Sequence, residues 1–260
     1  MASYIRELYH YRELLWSWVV RNIKVRYKQS LLGVAWAILQ PLSATVIMTV
    51  IFSRFIRVST DGIPHPIFYY SALLPWTFSA SSISFGTSCL VGNMGLVTKI
   101  YFPREILPIS AVLASFVDFL IATVIFVGMM VFYRMPVGLS WVWVPALLLI
   151  QILLTLGVVL FASALNVFYR DIRFVVPLGM QLWMYLTPII YPLSLVPERF
   201  RGLYLLNPMA GLIDSYRRIV LYAQWPDATY LLKAAAVSLI LFLFAYVYFK
   251  RAEAVFADII

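Results

Sequence analysis

Charge is what this sequence has least of. Only 12% of its 260 residues are Asp, Glu, Lys or Arg, while 63% are apolar and the mean hydropathy is +0.90. A soluble domain carries about a quarter charged residues, so a soluble globular enzyme is excluded. Disorder is excluded for the opposite reason, since it requires low hydrophobicity. The single cysteine, Cys89, rules out an intrachain disulfide framework. Two histidines, His10 and His65, stand apart from any Cys/His/carboxylate cluster at metal-ligand spacing. No Gly-Lys dipeptide occurs, so a Walker-type phosphate loop is missing, and so is a Gly-x-Ser-x-Gly nucleophile elbow. Acidic residues are scarcer than basic ones, eleven against twenty, giving +9. In a soluble protein that excess would point to nucleic acid. In a membrane protein it reads as topology and attraction to anionic lipid, and no nucleic-acid partner is needed.

What the sequence does contain is long uncharged runs. A helix needs about 20 mainly apolar residues to cross about 30 Å of hydrocarbon. The gaps between charged residues accordingly predict six spans, near 31–53, 66–90, 106–133, 142–168, 174–193 and 230–249. The last is short, and Lys233 extends it by snorkelling to the interface. Around the first span the Lys/Arg count is six before against two after, which puts the N-terminus inside. Six spans then put both termini in the cytoplasm.

Before the first span there is no apolar signal-peptide core. Wound as a helix, 12–28 aligns Glu13, Arg21, Lys24 and Lys28 on one stripe. Trp16, Val20, Ile23 and Tyr27 lie beside it on an apolar flank. That pattern predicts a helix lying in the cytoplasmic interface, as an anchor or as a headgroup-binding surface built on Arg21, Lys24, Arg26 and Lys28. At the other end of the chain, 194–229 is too long for a turn and too charged to span. Asn207-Pro208 is an N-cap and first-turn pair. After it Met209, Leu212, Ile213, Tyr216, Ile219 and Val220 share one helical face, with Asp214, Arg217 and Arg218 elsewhere. A surface or re-entrant helix is expected there, as a cap on the bundle or a lid over an exit. The fold class is therefore all-α integral membrane, with six transmembrane helices, an N-terminal amphipathic interfacial helix and re-entrant outer helices between spans five and six.

With Lys233 reaching the interface, Asp118 is the one charged residue buried inside the spans, too little for catalysis or ion coupling and suited to a structural hydrogen-bond acceptor. Pro41 and Pro75 predict kinks relieved by polar neighbours. Span two carries Ser71, Thr77, Ser79, Ser81, Ser82, Ser84, Thr87 and Ser88. Such a face suits close helix packing or a hydrophilic conduit. Trp183, Tyr185 and Tyr191 in span five suit an interfacial belt, bundle core or a surface on which sugar rings stack.

Several motifs carry a resemblance. Arg21-Asn-Ile-Lys-Val-Arg-Tyr-Lys-Gln-Ser-Leu-Leu-Gly-Val-Ala-Trp36 with Gln40-Pro41-Leu42 resembles the opening segment of type-2 ABC exporter permeases, within them the polysaccharide group handling O-antigen, teichoic acid and capsule. Phe102-Pro-Arg-Glu-Ile-Leu-Pro108, Val117-Asp118-Phe119, Asn166-Val-Phe-Tyr-Arg-Asp-Ile-Arg173, Thr187-Pro188 and Asn207-Pro208-Met209 follow in the matching order over nearly the whole chain. Asn22 departs from the pattern, where many relatives carry an acidic residue.

The resemblance implies a permease subunit rather than an enzyme, in the cytoplasmic (inner) membrane. It implies a homodimer with two separate ATPase subunits, which bind the ATP and Mg that this chain does not. The domains are then 1–30 (interface helix), 31–250 (six-span permease) and 251–260 (tail). Region 92–104, with Asn93, Lys99, Tyr101, Phe102 and Arg104, is expected to seat in the ATPase. The segment after span five corresponds to an outer gate, with Met209, Leu212, Ile213 and Tyr216 as its candidates. A lipid-linked polysaccharide would slide over Trp36, Trp76, Trp183, Tyr185 and Tyr191, since several weak stacking contacts permit movement that one deep pocket would stall. The same class with a drug or simple lipid as cargo, and a membrane-embedded glycolipid enzyme, are the alternatives.

Overall fold

In the computed structural model, residues 9–28, 30–56, 58–98 and 100–256 are described. Every regular element among them is helical. Helix α1 is Arg12–Tyr27 and α2 is Trp36–Val50, lengthened by the turn Gly33–Ala35 and a wider turn Ile51–Phe55. Then come α3 (His65–Thr87), α4 (Met94–Val97), α5 (Ile106–Phe132), α6 (Val144–Phe168) and α7 (Ile172–Tyr185). Helices α8 (Glu198–Tyr204), α9 (Pro208–Val220) and α10 (Ala228–Glu253) complete the chain.

Four stretches are long and apolar enough to cross a membrane: Gly33–Phe55, Ile106–Phe132, Leu139–Phe168 and Ala228–Glu253. The architecture is a multi-pass, all-α membrane fold. Helix α3 falls outside that set although it spans 23 residues, because its serines and threonines lower its hydropathy. Its packing explains why it can carry them. It sits at the centre, against α2, α5, α6, α7 and α9, so Ser71, Ser79, Ser82 and Thr87 meet protein rather than lipid. Helix α7 differs from the expected 174–193 span. It stops at Tyr185, about 21 Å long at 1.5 Å per residue, and 186–197 continues as turns around Pro188 and Pro192.

Small residues set the closest approaches. A Cβ on Gly157 of α6 would lie 3.0 Å from the Phe242 Cα of α10 and 2.5 Å from Leu241 Cδ2. The backbones meet there because no side chain intervenes. Gly86 of α3 likewise receives Val159 of α6.

The bundle has two dissimilar ends. At one, Trp18 of α1 joins Leu90, Val97, Phe102, Ile106, Val167, Phe249 and Phe256 in a single apolar cluster. At the other, α9 is packed against α3, α6 and α10, and Met209, Leu212 and Ile213 are fully buried. The face that α1 turns to the bundle differs from the expected one. Trp18, Asn22 and Arg26, spaced by four, point inward, while Trp16 on the expected apolar flank is exposed. Burial partners on α5, rather than hydrophobicity along α1, choose that face.

Candidate functional site

Beneath α1 lies a cavity of about 350 Å³, bounded by α2, α3 and α5. Its lining mixes aromatic rings (Tyr27, Trp36, Phe78, Phe85) with hydroxyls and an amide (Ser30, Gln40, Thr77, Ser81, Ser115). One wall is an ion pair between Arg26 and Asp118. Tyr27 donates its hydroxyl hydrogen to Asp118 Oδ1 at 2.7 Å, and the Arg26 guanidinium lies 3.9 Å from the centre of the Phe85 ring. Burial and the Asp118 bond push the Tyr27 phenol up to about 12, so it holds its proton and the bond persists at neutral pH. Asp118 is thereby the structural acceptor the sequence suggested, tying α1 to span-forming α5. Arg26 and Phe85 also wall a second space of about 370 Å³, lined by Arg21, Asn22, Ser88 and Asn93 among others.

The same end holds a charged clamp. Lys250 Nζ lies 2.8 Å from both Glu105 Oε2 and Glu253 Oε2. The Arg104 backbone N–H donates to Glu253 Oε1 at 3.0 Å, and its guanidinium to the Glu253 carbonyl. Glu105 is buried, and a buried carboxylate needs such partners. The clamp joins the segment before α5 to the last turn of α10. Just upstream, Tyr101 is 85% exposed and Phe102 is 6% exposed, one free and one anchored in the apolar cluster.

The far end is organised by Arg217 and Asn207. Past α7 the chain leaves helix, and carbonyls inside a membrane fold must find donors. Arg217 supplies them: Nη1 reaches the Pro188 and Tyr191 carbonyls at 2.6 and 3.1 Å, and Nη2 the Ile189 carbonyl at 2.7 Å and the Phe68 carbonyl at 3.5 Å. Its guanidinium also lies 3.7 Å from the Phe68 ring centre. Burial pushes Arg217 down to about 10, which leaves it charged at neutral pH. Asn207 caps α9 as expected, its Oδ1 accepting from the Met209 N–H at 3.1 Å and from Trp183 Nε1 at 2.8 Å. Its Nδ2 donates to the Leu186 carbonyl and to Thr187 Oγ1, both at 3.0 Å.

A model of the family described as ABC-2 type transporter matches residues 13–221. The chain belongs to the ABC-2 type transporter family. It is 35% identical over 261 residues to the O-antigen export system permease protein RfbA of Myxococcus xanthus, covering 99% of each chain. It is also 35% identical over 198 residues to the Klebsiella pneumoniae protein of the same name, 76% of each chain. Similarity to the polysialic acid transport protein KpsM of Escherichia coli is lower, 23% over 244 residues, 90% of this chain and 92% of that one.

In this ABC-2 permease subunit the sequence-derived candidates fall in several places. Trp36 is exposed and lines the cavity under α1. Trp76 is buried and meets Trp183 edge-on at 5.8 Å, beside Asn207. Tyr191 pairs its hydroxyl with that of Tyr204 at 2.9 Å, and Tyr185 is exposed on α7. Within one chain these five aromatics do not share a wall. Of the four cations before span one, Lys24 and Lys28 are exposed and Arg26 is taken by Asp118. Arg21 lies 4.4 Å from the centre of the Trp18 ring and donates to Asn93 Oδ1 at 2.9 Å. Asn93 in turn donates to the Cys89 carbonyl at 2.7 Å. Lys99, like Arg6 and Arg57, lies outside the described residues. Met209, Leu212, Ile213 and Tyr216 face the protein interior.

Sequence reasoning missed three groups. Arg217 belonged to the charged side of α9, yet it is buried as a carbonyl cap. Gln151 carried no signal beyond being a lone amide in an apolar run, yet it donates to the Pro75 carbonyl at 2.6 Å and to Ser79 Oγ at 3.1 Å. Lys250 and Glu253 stand three apart on one helix, but the Glu105 that completes their clamp is distant in sequence.

Proposed function

We propose that this permease is the membrane-spanning subunit of an ATP-driven exporter that moves lipid-linked, O-antigen-like polysaccharide across the cytoplasmic membrane. Identity of 35% along 99% of both chains with a protein named as an O-antigen export permease carries the reading. The cavity under α1 supports it, since rings with interleaved hydroxyls suit sugar faces and edges. We read the chain as crossing six times. Helix α3 and the α7 helix with its irregular tail complete the four apolar spans, and α8 and α9 re-enter from the far end. The clustering of Trp18, Phe102 and Phe249 at one end favours both termini on that side, which the Lys/Arg count makes cytoplasmic.

The working unit is a homodimer with two ATP-binding subunits. Apolar faces on α2 (Val46, Ile47, Val50) and α7 (Phe174, Leu178, Leu182, Tyr185) are exposed in the single chain and suit a second copy. ATP and Mg belong to the partner subunits. Their closure would displace the 92–104 region, with exposed Tyr101 as contact, and the Glu105–Lys250–Glu253 clamp would pass the motion to α5 and α10. Met209, Leu212, Ile213 and Tyr216 form the outer gate. Trp36, Trp76, Trp183, Tyr185 and Tyr191 contribute to the sliding path, and Arg21, Lys24 and Lys28 meet headgroup phosphate.

The test is co-purification with the ATPase subunit in lipid nanodiscs, followed by ATP hydrolysis with lipid-linked glycans of differing composition. Stimulation by glycan-bearing lipid, and none by the bare lipid carrier or by drugs, is expected. Equal stimulation by drugs or simple lipids would overturn the cargo. Alanine at both Trp183 and Tyr185 should slow export; unchanged export at normal expression would remove them from the path.

A further inference from the structure

A cavity of about 330 Å³ opens at the far end of the bundle, apart from the space under α1. That is within the usual range for small-ligand pockets. Three guanidiniums line it, from Arg201, Arg217 and Arg218, against two carboxylates, Asp61 and Asp214. Tyr222, Tyr230, Gln224 and Ser194 add hydroxyl and amide groups.

The charges are unevenly compensated. Arg218 Nε pairs with Asp214 Oδ2 at 2.8 Å, and the Arg218 guanidinium lies 5.7 Å from the Tyr230 ring centre. Arg201 donates to the Val196 and Ser194 carbonyls and reaches Glu198 only at 3.7 Å, a carboxylate that is 90% exposed and screened by water. Arg217 is 4% exposed, and its hydrogen bonds run only to backbone carbonyls. Its Nε is a buried donor with no partner. Its charge is offset by the Phe68 ring and by Asp214, a carboxylate it shares with Arg218; a buried cation so placed, with one donor left over, gains from a further anion. The lining also holds what an anion alone does not require: two carboxylates that accept from hydroxyls, and tyrosine rings able to lie along a pyranose face.

We infer that this cavity binds one anionic sugar unit, a hexuronate or sugar phosphate, of the exported glycan. Its oxyanion faces Arg217, Arg201 and Arg218, and its ring hydroxyls donate to Asp61 and Asp214. The inference rests on the exporter reading above. In the proposed orientation the site lies at the outer side, beside the re-entrant helices, where it would hold the chain as it leaves. Neutral polymers would lack the charge contact, so the site favours glycans bearing acidic residues. Arg217 serves here twice, as the carbonyl cap that shapes the end of α7 and as the charge at the cavity wall.

The experiment uses the full chain in nanodiscs of phosphatidylcholine, a lipid without net charge. Sodium glucuronate, glucose and inorganic phosphate are titrated separately by ligand-observed NMR. Glucuronate is expected to bind at least about tenfold more tightly than glucose, as for a site that loses a charge-assisted contact. Phosphate should compete with glucuronate. Arg201→Gln with Arg218→Gln should cost about tenfold or more in glucuronate affinity, and Arg218→Lys should retain part of it. Arg217 is left intact because it holds the backbone, and an unchanged melting temperature of the double variant confirms its fold. Should that variant not fold, loss of glucuronate binding on adding phosphate to the wild type carries the same test.

Equal binding of glucose and glucuronate, phosphate binding without glucuronate binding, or full affinity in the folded double variant would each overturn the site. The wild-type complex is assayed in parallel for glycan-stimulated ATP hydrolysis. Stimulation without glucuronate preference overturns the site alone. Glucuronate binding without stimulation by any lipid-linked glycan overturns the exporter reading, and with it the glycan as the site's ligand.

Discussion

Tyr216 donates its hydroxyl hydrogen to Gln151 Oε1 across 2.9 Å, joining α9 to α6 inside the bundle. Gln151 then donates to the Pro75 carbonyl and to Ser79, and Ser79 exchanges a bond with Thr155 at 3.0 Å. Five polar side or main chains from three helices are satisfied by one another, with no solvent needed. Replacing Gln151 by Leu leaves the Tyr216 hydroxyl and the Pro75 carbonyl without that partner. The expected cost is about 1–3 kcal/mol, larger than for Tyr216→Phe, which strands only one acceptor. Thermal unfolding of the two variants in detergent checks the order; equal melting temperatures would argue against the network.

Gly157 and Gly128 make a matched pair of tests. Gly157→Leu must push α6 and α10 apart: the nearest obstacle, Leu241 Cδ2, can rotate away, but the Phe242 backbone at 3.0 Å cannot. Loss of at least about 1–3 kcal/mol is expected, with much less protein recovered from the membrane. A Cβ on Gly128 meets nothing within 4 Å. Gly128→Ala should therefore be neutral or stabilising by up to about 1 kcal/mol.

Arg217→Gln should be among the most damaging single substitutions. Each carbonyl it abandons costs about 1–3 kcal/mol if left unsatisfied. Arg217→Lys should rescue little, since one ammonium cannot reproduce a planar fork spanning Pro188, Ile189 and Tyr191. Limited proteolysis across 186–206 reads the outcome directly.

Asp118→Ala should loosen α1 without unfolding the bundle, seen as faster hydrogen exchange over Arg12–Tyr27. Arg26→Gln should act in the same way, and the double variant should show less than the sum because both remove one pair. The Tyr27 bond adds a pH dependence of known sign. Its phenol is raised from 10.0 to about 12, so its contribution is complete below the unfolded value and is lost as pH rises through the folded one. Attachment of α1 should be unchanged from neutral to mildly alkaline pH, and Tyr27→Phe should remove the loss at high pH.

Tyr101 and Phe102 separate coupling from folding. Tyr101→Ala should reduce transport-coupled ATP hydrolysis while the protein inserts and melts normally. Phe102→Ala should instead destabilise by about 3–5 kcal/mol, as for a buried aromatic. Normal coupled transport in Tyr101→Ala would remove that residue from the ATPase contact.

Reading residues in order was enough for the membrane class, the four apolar spans, the helix over 12–27 and the Asn207-Pro208 cap. Each of these depends on composition, run length or a contact between neighbours in sequence, which a one-dimensional pattern records. The same pattern left the serines of span two open between packing and conduit, and packing distributes them. Ser71, Ser79, Ser82 and Thr87 are buried in helix contacts, Thr77 and Ser81 line the cavity under α1, and Ser84 and Ser88 are exposed. Arg217 beneath Phe68, Glu105 under Lys250 and Asp118 beside Arg26 join residues separated by 149, 145 and 92 positions. No periodicity carries such pairings. They exist because charges and carbonyls taken out of water must find partners wherever the folded chain brings them close, and that is a property of the packed helices rather than of any one of them.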